Sequence, residues 1–317
     1  MGLFPKQASE MVSLMGIPVG PNSQVFIVDP QVSASGTGLS FKSPLKTIPE
    51  AYAKCTANQN DVIVLVGGPT GNALTVALDW SKGYTHLVGV SGDLPGVGQR
   101  CRVTGGTDAD LSYLIDFQGQ GCIVKNVQFF NEVDAAADSG AVIVSGGRNY
   151  FENVFFAGMG HTTAGARAGS YSLSVTGAEN VFVRCSIGTQ TIIRAAANAE
   201  LIISGTACYR NKFIGCEFLS WSVTAGKLLV KFAAGSVPWT TQFEDCAFIN
   251  LDMTADGKDG ASVDNAIGDS STAKHLIVLR GSVIFVGCTG VADTVTNVFS
   301  AQPVPAAGFG LGVNPTT

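Results

Sequence analysis

Residues 151–156 read FENVFF, and the phrase returns as FVRCSI at 182–187, FIGCEF at 213–218 and FEDCAF at 243–248. Written as F-x-x-[C/V]-x-[F/I], it starts at Phe151, Phe182, Phe213, Phe243 and Phe285, with a weaker copy, VKNVQF, at Val124. Successive starts lie 27, 31, 31, 30 and 42 residues apart, a period that marks a chain of stacked repeats. In a flat strand, inward side chains sit two apart. Cys246 and Phe248 obey that rule, but Phe243 and Cys246 are three apart, so an extra residue must turn a corner between them. The residue before the cysteine slot is Asn126, Asn153, Arg184, Gly215, Asp245 and Gly287 in the six copies. All but Arg184 are types that tolerate the left-handed backbone of a tight bend.

Another short strand precedes each phrase: AVIVSGG before Phe151, YSLSVTG before Phe182, LIISGTA before Phe213, KLLVKFAAG before Phe243 and HLIVLRG before Phe285. Three strands per turn of chain, repeated in register, predict an all-β, single-stranded parallel β-helix with coils about 4.8 Å apart. Like residues then stack. Phe151, Phe182, Phe213, Phe243 and Phe285 are expected in one internal ladder, and Cys185, Cys216, Cys246 and Cys288 in another.

Composition agrees with many turns and few helices. Of 317 residues, 14% are charged and 46% apolar, and there are 39 glycines. A net charge of −5 argues against a nucleic-acid partner, which calls for a basic patch. No stretch approaches the roughly 18 apolar residues of a membrane span. The start, MGLFPKQASEMVSLMG, has no unbroken apolar signal core, and Lys6 stands where a myristoylation site wants Ser or Thr. The expectation is a soluble chain made in the cytoplasm. Its eight cysteines include no C-x-x-C, and the three histidines (His86, His161, His275) offer no zinc spacing. Reduced, buried cysteine is expected, with no metal and no cofactor.

A solenoid needs a cover at its ends. Residues 47–57, TIPEAYAKCTA, predict a short N-terminal capping helix: Thr47 and Glu50 make a capping box, Pro49 lies in the first turn, and Ile48, Ala51, Tyr52 and Cys55 share a face. DVIVLVGG (61–68) follows as an early strand. Residues 252–272 read as a polar insertion. Its DGKDG is similar to a calcium loop, but Asp252, Asp256 and Asp259 miss the alternating ligand spacing. Residues 1–25, an N-terminal arm, and 301–317, a Pro/Gly-rich tail, lack the coil pattern. Neighbouring subunits hold them, or they fold back on their own helix.

No catalytic constellation emerges. Glycoside hydrolysis wants two carboxyls about 5–9.5 Å apart. Glu152 and Glu244 share a column but are separated by Val183 and Ile214, about 14 Å by strand spacing. Glu217 has Ser186 and Ala247 as column neighbours, Asp245 has Gly215 and Gly287, and Glu244 and Asp245 should diverge at a corner. Arg184 reads as an exposed corner charge without acidic column neighbours, and His161 as an unpaired loop histidine beside Arg167. Trp221 and Trp239 could stack on sugars, pack under loops or pack at a subunit interface.

GTGLSFKSPLKTIPEAYAKCTANQNDVIVLVGG (36–68), followed by coils with Asn or Gly corners, resembles the right-handed parallel β-helix of the pectin-lyase-like superfamily. Within it, the short capping helix is most similar to bacteriophage tailspikes and other virion β-helix proteins. The resemblance spans residues 26–300. It speaks for fold, since that superfamily holds lyases, hydrolases, adhesins and inert structural proteins. With no catalytic constellation, and with sparse charge beside many small residues that suit flat packed faces, the expectation is a non-enzymatic virion component of the phage kind, a capsid decoration or spike, homo-oligomeric and packed against other virion proteins. The alternative is a tailspike-type polysaccharide depolymerase, lyase or hydrolase, or a receptor-recognition protein that binds host surface glycan. No catalytic, cofactor or metal residue is assigned.

Overall fold

The computed structural model describes residues 10, 12–13, 15–90, 101–105, 111–134, 137–224, 226–251, 263–271, 275–293 and 297–300. The chain winds as a parallel β-helix of three sheets, one of ten strands and two of eight. A representative coil runs Tyr150–Glu152 in the ten-stranded sheet, Phe155–Ala157 in the second and Leu173–Val175 in the third. Val181–Val183 then rejoins the first sheet one layer on, parallel and in register with Tyr150–Glu152.

The expected phenylalanine ladder forms over four layers. Phe151, Phe182, Phe213 and Phe243 are register partners and fully buried. Their rings stack with centroids 4.8, 4.7 and 5.2 Å apart and interplanar angles of 8°, 6° and 15°. Strand spacing alone sets these distances, because identical side chains in one column repeat at the interval of the backbone. At the corner, Asn126, Asn153, Arg184, Gly215 and Asp245 all have φ between 50° and 61°. Each still donates its amide to the next coil, as Asn153 N does to Val183 O at 3.0 Å and Arg184 N to Ile214 O at 2.8 Å. Cys185, Cys216 and Cys246 are buried free thiols that donate to the carbonyls of Phe151, Phe182 and Phe213 in the coil before, at 3.6, 3.4 and 3.4 Å.

The last repeat differs from the sequence reading. Phe285 pairs with Phe248 in the second sheet, rings 4.8 Å apart, and Leu279 takes the place above Phe243. HLIVLRG is therefore the first-sheet strand itself (Leu276–Arg280), and the third-sheet strand before it is Val263–Asp269. The corner falls at Gly281, φ 67°. Val283 fills the interior beyond it, and Cys288 lies half-buried in a third-sheet strand, outside the thiol column. Leucine in the ladder hides the repeat, and an aromatic one sheet further on supplies a false match.

A third ladder carries no expectation from the sequence. Asn149, Asn180 and Asn211, two residues before the phenylalanines, are buried. Asn149 Oδ1 accepts the Cys122 amide at 2.8 Å, Asn180 Oδ1 the Asn149 amide at 3.0 Å, and Asn211 Oδ1 the Asn180 amide at 2.9 Å. Each side-chain amide also donates to a turn carbonyl at 3.0–3.1 Å: Gly119, Gly146 and Gly177 in turn. Buried turns would otherwise carry unsatisfied backbone groups, and this column supplies their partners.

The capping helix spans Ile48–Lys54, with the Thr47–Glu50 capping box formed. Tyr52 reaches the core, its ring 4.6 Å from that of Trp80. On the outer face of the first sheet, Val12 and Ile17 bury against Val25, Ile27, Val62, Val64 and Val88, so this part of the N-terminal arm folds onto its own coils. The calcium-loop residues Asp252, Asp256 and Asp259, with most of the insertion, and residues 1–9 and 301–317 lie outside the described residues. No helix among the described residues is long and apolar enough to cross a membrane.

His86 gives the early coils a pH dependence. It is 1% exposed, its Nδ1 accepts the Ile123 amide at 3.0 Å and its Nε2 faces Asn60 Oδ1 at 3.2 Å. Burial pushes its pKa down to about 4 from 6.5. Between those values the unfolded chain binds a proton that the folded chain refuses. The stability it contributes is complete above pH 6.5 and falls away as pH drops toward 4, by up to about 3 kcal/mol. Urea midpoints measured from pH 7 to pH 4 should show this fall, and His86→Gln should flatten it.

Candidate functional site

A groove of about 730 Å³ opens where the first and second sheets meet, lined by Lys125, Asn126, Glu152, Asn153, Arg184 and Glu217 among others, with Met15 of the N-terminal segment at its rim. Alternation along the first sheet turns Glu152 outward while Phe151 turns inward. Glu152 is held from three sides. Lys125 Nζ lies 2.9 Å from Oε2, Tyr150 Oη donates to Oε2 at 3.2 Å, and Arg184 Nη2 pairs with Oε1. Lys125 also donates to Met15 O at 2.9 Å, fastening the N-terminal segment to the groove. Burial favours the neutral acid, but Lys125 foremost, then Tyr150 and Arg184, outweigh it and keep Glu152 below its ordinary value.

Arg184 is thus not a solitary corner charge. Its side chain reaches back one coil to Glu152, a diagonal contact that column counting does not display. The spacing argument on the remaining acids holds: Glu152, Val183, Ile214 and Glu244 follow one another in register, and Glu217 sits between Ser186 and Ala247. Glu244 accepts from Gln242 Nε2 at 2.7 Å, whereas Asp245 Oδ1 accepts the Ser282 amide at 2.7 Å, so the two diverge. One close pair lies outside the columns that the phrase defines. Asp79 and Asp116 are register partners on adjacent coils of the third sheet. Asp79 accepts from Tyr113 Oη at 3.0 Å, and Asp116 from Ser145 Oγ at 2.7 Å and Gln118 Nε2 at 3.2 Å.

His161 is not unpaired either. It caps the short helix Thr162–Gly165, its Nδ1 accepting the Thr163 amide at 3.2 Å and lying 3.3 Å from Asp134 Oδ1. At the corner that leads from the third sheet into the first, Glu179 bridges Arg148 and Arg210. Trp239 is 49% exposed and stacks on Tyr209 at 4.7 Å, with the Arg210 guanidinium 4.9 Å from the tyrosine ring and 5.5 Å from the indole. Trp221 is half-buried at the end of the strand Glu217–Trp221.

A third cluster, absent from the sequence reading, is wholly buried. Glu200 Oε1 meets Arg194 Nε at 2.8 Å and Lys227 Nζ at 3.1 Å, and Oε2 accepts from Ser172 Oγ at 2.6 Å. Gly188, φ 97°, makes room for it, since a Cβ there would stand 2.8 Å from the Glu200 carboxyl carbon. Glu200 lies on the strand Ala199–Ile203, whereas Arg194, Lys227 and Ser172 come from connections of unequal length between strands, so no spacing reveals them. Among the described residues no group of three or more His, Cys, Asp or Glu could hold a metal ion.

No family model and no curated protein matches the chain. Solved structures do. Pectate lyase Pel9A aligns over 92% of this chain and 83% of its own at 13% identity and a TM-score of 0.55. A pectin methylesterase in complex with a hexasaccharide aligns over 89% and 81% at 15% identity and a TM-score of 0.52. Identities this low establish the architecture alone: the chain shares the parallel β-helix fold of these two proteins.

Proposed function

We propose that the chain is a non-enzymatic, oligomeric structural component of a bacteriophage particle, packed against other virion proteins. The observation that carries the non-enzymatic part is the state of Glu152. Glu152, the less exposed of the two acids that line the groove, is clamped by two cations and a phenol, and a carboxyl held charged in this way does not serve as the general acid that glycoside hydrolysis asks of one carboxyl near neutral pH. Packing against other proteins is supported by exposed apolar side chains gathered in the last coils: Trp239, Leu276, Ile284, Val286 and Phe299 are 43–50% exposed. The virion setting draws on the likeness of the capped solenoid to phage β-helix proteins.

Quantitative mass spectrometry of purified particles tests this reading. The protein is expected at fixed high copy number, and particles lacking it would overturn the assignment. A second reading, a polysaccharide-cleaving protein, draws on Asp79 and Asp116. Their backbones are about 4.8 Å apart, close to the roughly 5–5.5 Å carboxyl separation of a retaining glycosidase. Release of oligosaccharides from bacterial surface glycan, lost in Asp79→Asn and Asp116→Asn, would establish that reading in place of the first.

A further inference from the structure

The buried cluster behind the 189–198 loop carries a charge that its described partners do not neutralise. Arg194, Glu200 and Lys227 have fully buried side chains and together leave one excess positive charge. Glu200 is already committed through both oxygens, to Arg194 and Lys227 on one side and Ser172 on the other. Arg194 Nη1 donates to Met159 O and Ile192 O, both at 2.9 Å. Its Nη2 is buried and has no partner among the described residues. The same holds for the indole nitrogen of Trp221, whose carbonyl accepts the Arg194 amide at 2.7 Å.

Geometry explains why Nη2 is left over. The Nε–Nη2 edge of a guanidinium grips a carboxylate with two parallel bonds. Here Glu200 turns Oε2 to Ser172, so that only Nε is engaged. Lys227 Nζ has three N–H groups and meets Glu200 alone, as an ion pair without a hydrogen-bonded partner. Buried donors in excess, around a net positive charge, make an environment that stabilises an anion and repels a cation. A water molecule would answer the donors but leave the charge.

We propose that this interior binds a small monovalent anion of the halide class, held between Arg194 Nη2 and Lys227 Nζ. Such an ion would tie together the loops around Met159, Ile192 and Lys227, all of which converge on Arg194 and Glu200. The excess charge is present at neutral pH: burial pushes Lys227 down to about 8 while Glu200 pulls the other way, which leaves the ammonium mostly protonated.

Crystals of the full chain equilibrated in sodium bromide give the direct test. An anomalous bromine peak is expected within hydrogen-bonding reach of Arg194 Nη2, and it should vanish in Lys227→Met. In solution at pH 7 and fixed ionic strength, replacing gluconate by chloride should raise the melting temperature of the wild type by about 2 °C or more, a rise missing from Lys227→Met. Absence of the bromine peak, or coincident melting curves in chloride and gluconate, would overturn the proposal. Both wild-type measurements stand even if the variant fails to fold.

Discussion

Glu200→Gln is expected to lower stability by about 3–5 kcal/mol, the cost of leaving buried charges without their partner. Gln keeps the shape and one acceptor oxygen, so packing changes little. What disappears is the carboxylate that, among the described residues, pairs with Arg194 and Lys227, and two buried cations are then left without it. Lys227→Met should be far milder, because it removes the surplus charge instead of the neutralising one. Urea unfolding followed by far-ultraviolet circular dichroism reads both. If Glu200→Gln matched the wild type to within about 1 kcal/mol, a figure well under the usual penalty, the cluster would be solvated and the electrostatic account of it wrong.

Phe213→Ala should cost about 3–5 kcal/mol as well, by a different route. Phe213 lies between Phe182 and Phe243 in the stack and meets Phe218 at a centroid distance of 5.8 Å. Removing it opens a hole that stacked backbones on both sides prevent from closing. Phe285→Ala should cost less, since Phe285 ends its stack and retains 6% exposure. The pairing has its own test: a double-mutant cycle should couple Phe285 to Phe248 and leave it uncoupled from Phe243. Coupling to Phe243 would restore the register that the sequence alone implies.

How legible each feature is in the sequence follows from how it is encoded. The phenylalanine and cysteine columns repeat at the period of a coil, so the ladders from Phe151 to Phe243 and from Cys185 to Cys246 can be counted off in the residues themselves. The capping box of Thr47 and Glu50 is local and equally plain. Asn149, Asn180 and Asn211 repeat with the same regularity, two residues before each phenylalanine. Their signal is easily overlooked because asparagine reads as a turn residue, not as an interior one. The final coil is misread for a physical reason: Leu279 satisfies the same interior column as phenylalanine, so residue identity stops reporting position.

The site is less legible than the fold. Glu152 and Arg184 differ in strand position as well as coil, and only the length of an arginine side chain joins them. Asp79 and Asp116 meet because the residues between them span one coil, in a region without the aromatic phrase that marks the others. Arg194 and Lys227 reach the strand residue Glu200 from connections whose lengths follow no period.

The reading of the groove rests on Glu152 remaining a carboxylate that two cations hold in place. Titration of its side-chain carbon by NMR, with Glu152→Gln used for assignment, measures that property directly. The midpoint should fall below the ordinary 4.5, and Arg184→Ala should raise it. A midpoint displaced upward toward neutrality would give this residue a proton to donate, and the groove would have to be regarded as a place where bonds are broken.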